Sequence, residues 1–380
     1  MPTVTILGGG YAGIRATRRV AEKLDKAWNI QLVDRGVEHQ LITRLPEIVG
    51  GTLDPSRCLI PYMRLVAKRV QLIRAHVITI SPSLRQVETS IGTLTADSML
   101  VALGGTANCA GIEGAERHAL PVRSVDNALE IHRRVQFCLV AQEEVRVVII
   151  GGGYTATEVA GALIEWRRGL ERARTGKTLA VTIVNDVDRL LPAGNQRLAE
   201  VAERVLSDKG VAVRHRAPVT QVETNEVRAG DVSFPADIVI WAARSRASPC
   251  VDDAHWQLGP EGRVVVDNYL RSSYEGVYVA GDAALAYDYA RDVPTAASAQ
   301  LAVQEGQIAG ENMAADILGK PRVEFRPGVL GEALLLGGHS GVAELAGVVL
   351  TGRAALATKH GALIRYLARA GGPRLAADYG

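Results

Sequence analysis

Cysteine is scarce in this chain: Cys58, Cys109, Cys138 and Cys250 are the only four in 380 residues, and no two lie close together. That scatter excludes a CxxC or CxxxxC dithiol beside a redox cofactor, and it excludes a cysteine zinc site. Reduced thiols and no metal centre are therefore expected. Aromatic residues make up only 4% and the net charge is only +2. The chain lacks both the basic surplus and the stacking platforms of a nucleic-acid binder, so no nucleic-acid partner is expected. Long apolar runs are missing too. The longest apolar stretch, 329–350, is interrupted by Glu332, His339, Glu344 and several glycines, which suits a hairpin better than a membrane span. The N-terminus enters a strand pattern at once, so no signal peptide is expected. With 47% hydrophobic and 22% charged residues, the composition is that of a soluble globular protein of two or three domains.

Glycine, in contrast, is placed with purpose. Gly8-Gly9-Gly10-Tyr11-Ala12-Gly13 follows the apolar run 4–7, and Gly151-Gly152-Gly153-Tyr154-Thr155-Ala156 follows the run 145–150. Each reads as strand, glycine turn, helix. Such a turn lets the backbone approach a pyrophosphate, and the helix N-terminus meets the negative charge. The candidate phosphate-binding residues are Gly8, Gly10 and Gly13 in the first turn, and Gly151, Gly153 and Ala156 in the second. One fingerprint binds one dinucleotide. Two imply a flavin, FAD, and a nicotinamide, NADH or NADPH, with a hydride path between them.

The repetition continues beyond the glycines. Segments 76–105 and 219–244 both read as short strands that end in Ala-Asp, four apolar-leaning residues and a small-residue turn. Ala102 follows Gly8 by 94 positions and Ala242 follows Gly151 by 91. One βαβ-plus-meander unit therefore occurs twice.

An acid closing the strand after the glycine turn accepts hydrogen bonds from an adenosine ribose. Asp34, 21 residues after Gly13, fills that place in the first unit. In the second unit Asn185 replaces the acid, with Asp186 next and Arg189 within reach of a 2′-phosphate. Ala156 also replaces the third glycine. The choice between NADH and NADPH stays open, leaning to NADH through Asp186.

The chain then returns from the inserted second unit through a strand that ends in Ala280-Gly281-Asp282. At this point it resembles the flavoproteins with two dinucleotide-binding domains, the pyridine nucleotide-disulfide oxidoreductase superfamily. The resemblance gives Gly281 and Asp282 a contact with the flavin ribityl–pyrophosphate region. An alternative role for Asp282 is a helix N-cap. Residues 299–304 spell AQxxxQ, which looks like the quinone-site signature of the type II NADH:quinone oxidoreductases. Gln300 and Gln304 share one helical face, so both amides could meet a quinone inside an apolar slot. The helix starting from Thr295 would place its N-terminal dipole near the flavin. Three further segments resemble the same family. Thr155 to Gly161 places Glu158 where the family has an acid of its hydride and proton machinery. His39-Gln40-Leu41-Ile42-Thr43 through Gly50-Gly51 resembles a family loop. Lys359 and Arg365-Tyr366-Leu367 match a segment beside the quinone pocket. One departure stands out: Arg244 occupies the family's glycine and adds charge at the nicotinamide entrance. No cysteine follows Cys250, so the cysteine pair of the sulfide:quinone reductases cannot form.

The resemblance implies an α/β fold with two Rossmann-type domains, the second inserted in the first, plus a small C-terminal domain. The expected bounds are 1–110 with 268–325 for FAD, 111–267 for NAD(P)H, and 326–380 for the C-terminal part. It implies an NAD(P)H:quinone oxidoreductase that does not pump protons, with Glu158, Gln300, Gln304 and Lys359 as catalytic candidates. Two alternatives stay open: a soluble flavin-dependent reductase of an electron carrier or small quinone, and a redox sensor that binds flavin and NADH without turnover. Residues 345–377 hold no acid but carry Arg353, Lys359, Arg365, Arg369 and Arg374, with Leu356, Leu363, Ile364 and Leu367 at helical spacing. Such a basic amphipathic helix fits peripheral contact with the cytoplasmic face of the membrane, or simple packing on the protein. A homodimer is compatible with everything above.

Overall fold

The computed structural model describes residues 1–109, 111–251, 256–338 and 340–380. The expected domain limit at residue 110, and His339, lie outside the described residues. The first sheet holds β1 (Thr3–Leu7), β2 (Asn29–Asp34), β3 (Gln71–Arg74) and β4 (Ser98–Val101). The second holds β5 (Ala119–Pro121), β6 (Glu144–Ile150), β7 (Thr178–Val184), β8 (Ala212–Arg214) and β9 (Ile238–Trp241). The chain then returns to the first sheet through β10 (Val277–Val279). Both sheets are parallel throughout, in the orders β10-β4-β1-β2-β3 and β5-β9-β6-β7-β8. These are two Rossmann-type units, with the second inserted between β4 and β10. The downstream meanders repeat as well. Val77–Ser81, Gln86–Thr89 and Gly92–Thr95 form one three-stranded antiparallel sheet, and Gln221–Val222, Glu226–Ala229 and Val232–Pro235 form the other.

The strands are continuous apolar runs because both faces are covered. All residues of β4, β9 and β10 are buried. The helices α1 (Tyr11–Lys23), α2 (Val125–Ala141), α3 (Tyr154–Arg172) and α4 (Gln196–Asp208) supply the cover. Gly105–Ala107 pairs antiparallel with Ser245–Ala247 and ties the two units together. Helix α5 (Ala299–Ile317) lies on α1 at very short range: a Cβ on Gly306 would sit 2.1 Å from the Ala12 carbonyl oxygen. Only glycine there allows that approach.

The C-terminal part resolves the apolar stretch 329–350. It forms an antiparallel sheet of β11 (Gly331–Leu335), β12 (Gly341–Leu345) and β13 (Val348–Thr351), in which β11 pairs β12 and β12 pairs β13. Helices α6 (Gly352–Gly371) and α7 (Pro373–Tyr379) follow. The apolar stripe of α6 turns inward only in part: Ala355, Leu367 and Ala370 are buried and Leu356 and Leu363 half-buried, whereas Ile364 is exposed, and Lys359 joins an internal ion pair. Arg353, Arg365 and Arg369 stay exposed on the other side. The tail is held by Arg44, whose Nη1 donates to the Tyr379 carbonyl at 3.0 Å, and by an Arg64–Asp378 ion pair. Among the described residues no helix is long and apolar enough to cross a membrane.

Candidate active site

The glycine turns are built alike. Gly8 and Gly151 adopt φ of +100° and +107°, a backbone region open chiefly to glycine. Gly13 is needed for packing, since a Cβ there would stand 1.8 Å from the Gly8 carbonyl oxygen. Gly10 and Gly153 differ from both. A Cβ on either would meet no protein atom within 4 Å. Nothing in the fold requires glycine at those two positions, so each leaves a cradle at a helix N-terminus that a side chain would fill. That geometry fits a dinucleotide pyrophosphate in each crevice.

Asp34 closes β2 beside the first turn. Its Oδ2 accepts the Gly9 N–H and its Oδ1 the Gly36 N–H, both at 2.7 Å. The carboxylate is thereby fixed at the crevice edge. The second unit departs from expectation. Asn185 does not present its amide to a ribose: it is 2% exposed, and its Nδ2 donates to the Arg189 carbonyl at 2.8 Å. Its side chain fills the space behind Gly152, where an added Cβ would stand 2.6 Å from Cγ. Arg189 is likewise turned inward, donating to the carbonyls of Pro192 (2.8 Å) and Gly194 (3.3 Å). Asp186 remains at the surface and pairs with Arg244. Strand pattern alone could not separate Asn185 from Asp186, because one residue decides which side of the strand end a side chain takes.

Gly281 and Asp282 form a tight turn after β10, next to α5. Asp282 caps no helix; it faces Arg123, with Nη1 to Oδ2 at 3.9 Å. The helix expected from Thr295 begins at Ala299 instead, because Ser298 caps it and accepts the Leu301 N–H at 3.3 Å. Thr295 is buried in extended chain, and its Oγ1 donates to the Ala286 carbonyl.

Gln300 and Gln304 do share a face of α5, but both amides are engaged. Each donates its Nε2 to the Gly328 carbonyl, at 3.3 and 2.9 Å, and the Gln304 Oε1 accepts the Gly328 N–H at 2.9 Å. Glu158 and Lys359, 201 positions apart, meet as an ion pair with side chains only 9% and 16% exposed. The Glu158 Oε1 also accepts the Leu335 N–H at 2.7 Å. A cavity of about 190 Å³ opens beside them, lined also by Glu47, Thr52, Glu165 and His360.

Several groups carry no individual role in the sequence pattern but take one in the structure. Glu305, next to Gln304, is 2% exposed, and its Oε2 accepts the Gly281 N–H at 2.6 Å. Burial pushes its carboxyl up to about 7, against the opposing pull of that N–H and of Arg263. The signal was available: Leu301, Ala302, Glu305 and Ala309 fall on one helical face, which put an acid among core residues. His39 lies under the first turn. Its Nδ1 is 3.0 Å from the Gly9 carbonyl, which can only accept, so Nδ1 carries the proton and Nε2 accepts the Tyr366 hydroxyl at 2.8 Å. Burial lowers the His39 pKa to about 4, so the ring stays neutral. Tyr11 stacks edge-on against it, and Tyr366 ties α6 to the first glycine turn.

Comparison with known proteins places the fold among related chains. The profile of the pyridine nucleotide-disulphide oxidoreductase family matches residues 2–306. A Staphylococcus aureus protein (strain NCTC 8325 / PS 47) named type II NADH:quinone oxidoreductase is 26% identical, across 98% of this chain and 97% of its own. A protein of the same name from Staphylococcus saprophyticus is also 26% identical, with the same coverage. Among solved structures, NDH2 from Plasmodium falciparum in complex with NADH has a TM-score of 0.83 at 16% identity, covering 100% of this chain and 97% of its own. The sulfide:quinone oxidoreductase from Aquifex aeolicus has a TM-score of 0.82 at 16% identity, covering 98% and 92%. At those identities the structural likeness concerns the fold.

Proposed function

Because the chain belongs to the pyridine nucleotide-disulphide oxidoreductase family, we propose that it is an FAD-dependent NAD(P)H:quinone oxidoreductase that does not pump protons. The name shared by its full-length relatives supports this reading, and so does the absence of any cysteine after Cys250. When bound, FAD would supply the two-electron relay between nicotinamide and quinone. Gly8, Gly10 and Gly13 with the α1 N-terminus would hold its pyrophosphate, Asp34 its adenosine ribose, and Gly281-Asp282 the ribityl side. Gly151, Gly153 and Ala156 would seat the nicotinamide dinucleotide in the second crevice. On this reading, 1–110 with 268–325, 111–267 and 326–380 are the FAD, NAD(P)H and C-terminal domains.

The observation that carries the proposal is the Glu158–Lys359 pair. It joins the helix of the second glycine turn to a C-terminal helix that lies beyond residues 2–306, the part shared with the wider family. Quinone reduction consumes two protons. On this reading Lys359 Nζ gives up a proton toward the quinone and regains one through the adjoining cavity, whose lining includes the exposed His360, while Glu158 Oε1 steadies the ammonium. Gln300 and Gln304 would offer a quinone carbonyl the same N–H groups that now serve the Gly328 carbonyl. The exposed Arg353, Arg365 and Arg369 suit peripheral contact with an anionic membrane on the cytoplasmic side.

Anaerobic stopped-flow tests the assignment. Lys359→Met and Gln304→Ala should each slow flavin reoxidation by a quinone at least tenfold while leaving flavin reduction by NADH within about twofold, since neither residue lies in the second crevice. Equal reoxidation by wild type and both variants would refute it.

A further inference from the structure

Sheet order places an unassigned ion pair directly across the second crevice. Strand β6, whose end carries Gly151-Gly152-Gly153, lies between β7 and β9. Asp186 stands two residues beyond β7 and Arg244 three beyond β9. Neighbouring strands are about 4.8 Å apart, so the two outer strands stand about 9.5 Å apart. Yet Arg244 Nη2 reaches Asp186 Oδ2 at 3.1 Å. The bridge therefore joins the loops on either side of β6, across the strand end that carries the glycine turn. The turn is flanked as this requires: a Cβ on Gly151 would strike Ala243, and one on Gly152 would strike Asn185.

The neighbouring polar groups are committed elsewhere. Asn185 is buried, and Arg189 is tied to the carbonyls of Pro192 and Gly194. The Asp186–Arg244 pair is not buried; its side chains are 43% and 71% exposed. An exposed pair is held weakly and is easily exchanged for another partner. A guanidinium prefers a doubly acceptor phosphate to a single carboxylate oxygen, because its fork can bind two oxygens at once.

We propose that the Asp186–Arg244 bridge is a latch over the nicotinamide-dinucleotide crevice that dinucleotide binding opens. On binding, Arg244 exchanges Asp186 for the dinucleotide's pyrophosphate, and Asp186 turns to the adenosine ribose. Arg244 then contributes equally to NADH and NADPH. Asp186, freed by the exchange, takes the ribose contact already expected of it from the sequence, and its charge repels a 2′-phosphate. The latch rests on the reading of the second crevice given above.

Calorimetric titration of the flavin-loaded protein with ADP-ribose and with 2′-phospho-ADP-ribose tests it, since neither ligand can transfer hydride. Arg244→Gly should weaken both ligands about tenfold, the worth of one charge-assisted contact, and the loss should shrink at high salt. Arg244→Lys should recover only part of the affinity, because it restores charge without the fork. Asp186→Asn should strengthen 2′-phospho-ADP-ribose about tenfold and change ADP-ribose by less than about threefold. If wild type binds and Arg244→Gly binds as tightly or more tightly, the latch is refuted while the crevice assignment stands. If wild type binds neither ligand, both are refuted.

Discussion

Glu305 sits where a charge is costly, and replacing it by glutamine should therefore stabilise the protein at neutral and alkaline pH. The residue is 2% exposed, and burial raises its carboxyl from an ordinary 4.5 to about 7. In the unfolded chain the proton leaves near 4.5; in the folded chain it stays until about 7. Between those values the folded state holds the extra proton. The stability this gives is complete below 4.5 and is lost as pH rises through 7. A difference of about 2.5 pH units at about 1.36 kcal/mol each makes roughly 3 kcal/mol. The Gly281 N–H and Arg263 already act inside that value, since both pull the pKa back down. Glutamine keeps the size and the acceptor for Gly281 N–H but carries no charge at any pH. Urea unfolding of both proteins from pH 5 to 8 would read the difference directly, because every other titrating group is common to the pair. The variant should gain about 3 kcal/mol over wild type across that range, with most of the gain between pH 5 and 7. A difference independent of pH would refute the reasoning.

Other substitutions test other parts of the site. Gly10→Val should leave folding intact but abolish flavin retention, because its Cβ meets no protein atom, whereas Gly13→Val should prevent folding, because its Cβ meets the Gly8 carbonyl; absorbance and circular dichroism separate the two outcomes. Lys359→Met leaves the Glu158 carboxylate buried without its partner and should cost about 3 kcal/mol or more, while the Glu158→Gln/Lys359→Met double variant should regain much of that in denaturant unfolding. Flotation with anionic liposomes should show binding at low salt that is lost at high salt, because each exposed arginine of α6 contributes about 1 kcal/mol through screened charge. Binding that survives high salt would instead indicate an apolar anchor.

The fold could be read from the sequence chiefly where one residue type answers a steric demand. Gly8, Gly13 and Gly151 are fixed by backbone conformation or contact, and the strands around them are buried on both faces. The resulting pattern is local and it occurs twice. The site could be read less well because its key contacts join distant segments. Glu158 and Lys359 could each be singled out, yet no local pattern says that residues 201 positions apart form a pair. Pro294-Thr295 looks like a helix start, but the serine three residues later captures the N-cap. The i, i+4 spacing puts Gln300 and Gln304 on one face, but periodicity cannot reveal that a peptide group from residue 328 takes up both amides. Helix α6 shows the same limit. Its apolar spacing predicts an amphipathic helix without saying whether protein or lipid covers the stripe.

What specialises this chain lies in how the C-terminal part docks on α3. Gly161 has no side chain, and a Cβ there would stand 2.5 Å from Leu336, so the loop after β11 can lie directly on the helix. Lys209 fastens the same loop from α4, its Nζ donating to the Leu336 carbonyl at 2.5 Å. Glu158, three residues before Gly161, shares that helical face. It reaches the Leu335 N–H on one side and Lys359 on the other. The N-terminus of α3 is the cradle at Gly153, and its second turn holds this acid. One rigid helix therefore spans the distance from dinucleotide crevice to C-terminal helix, with Gly161 setting the approach and Glu158 using it. Enlarging Gly161 would separate the two halves of the candidate site before it touched either crevice.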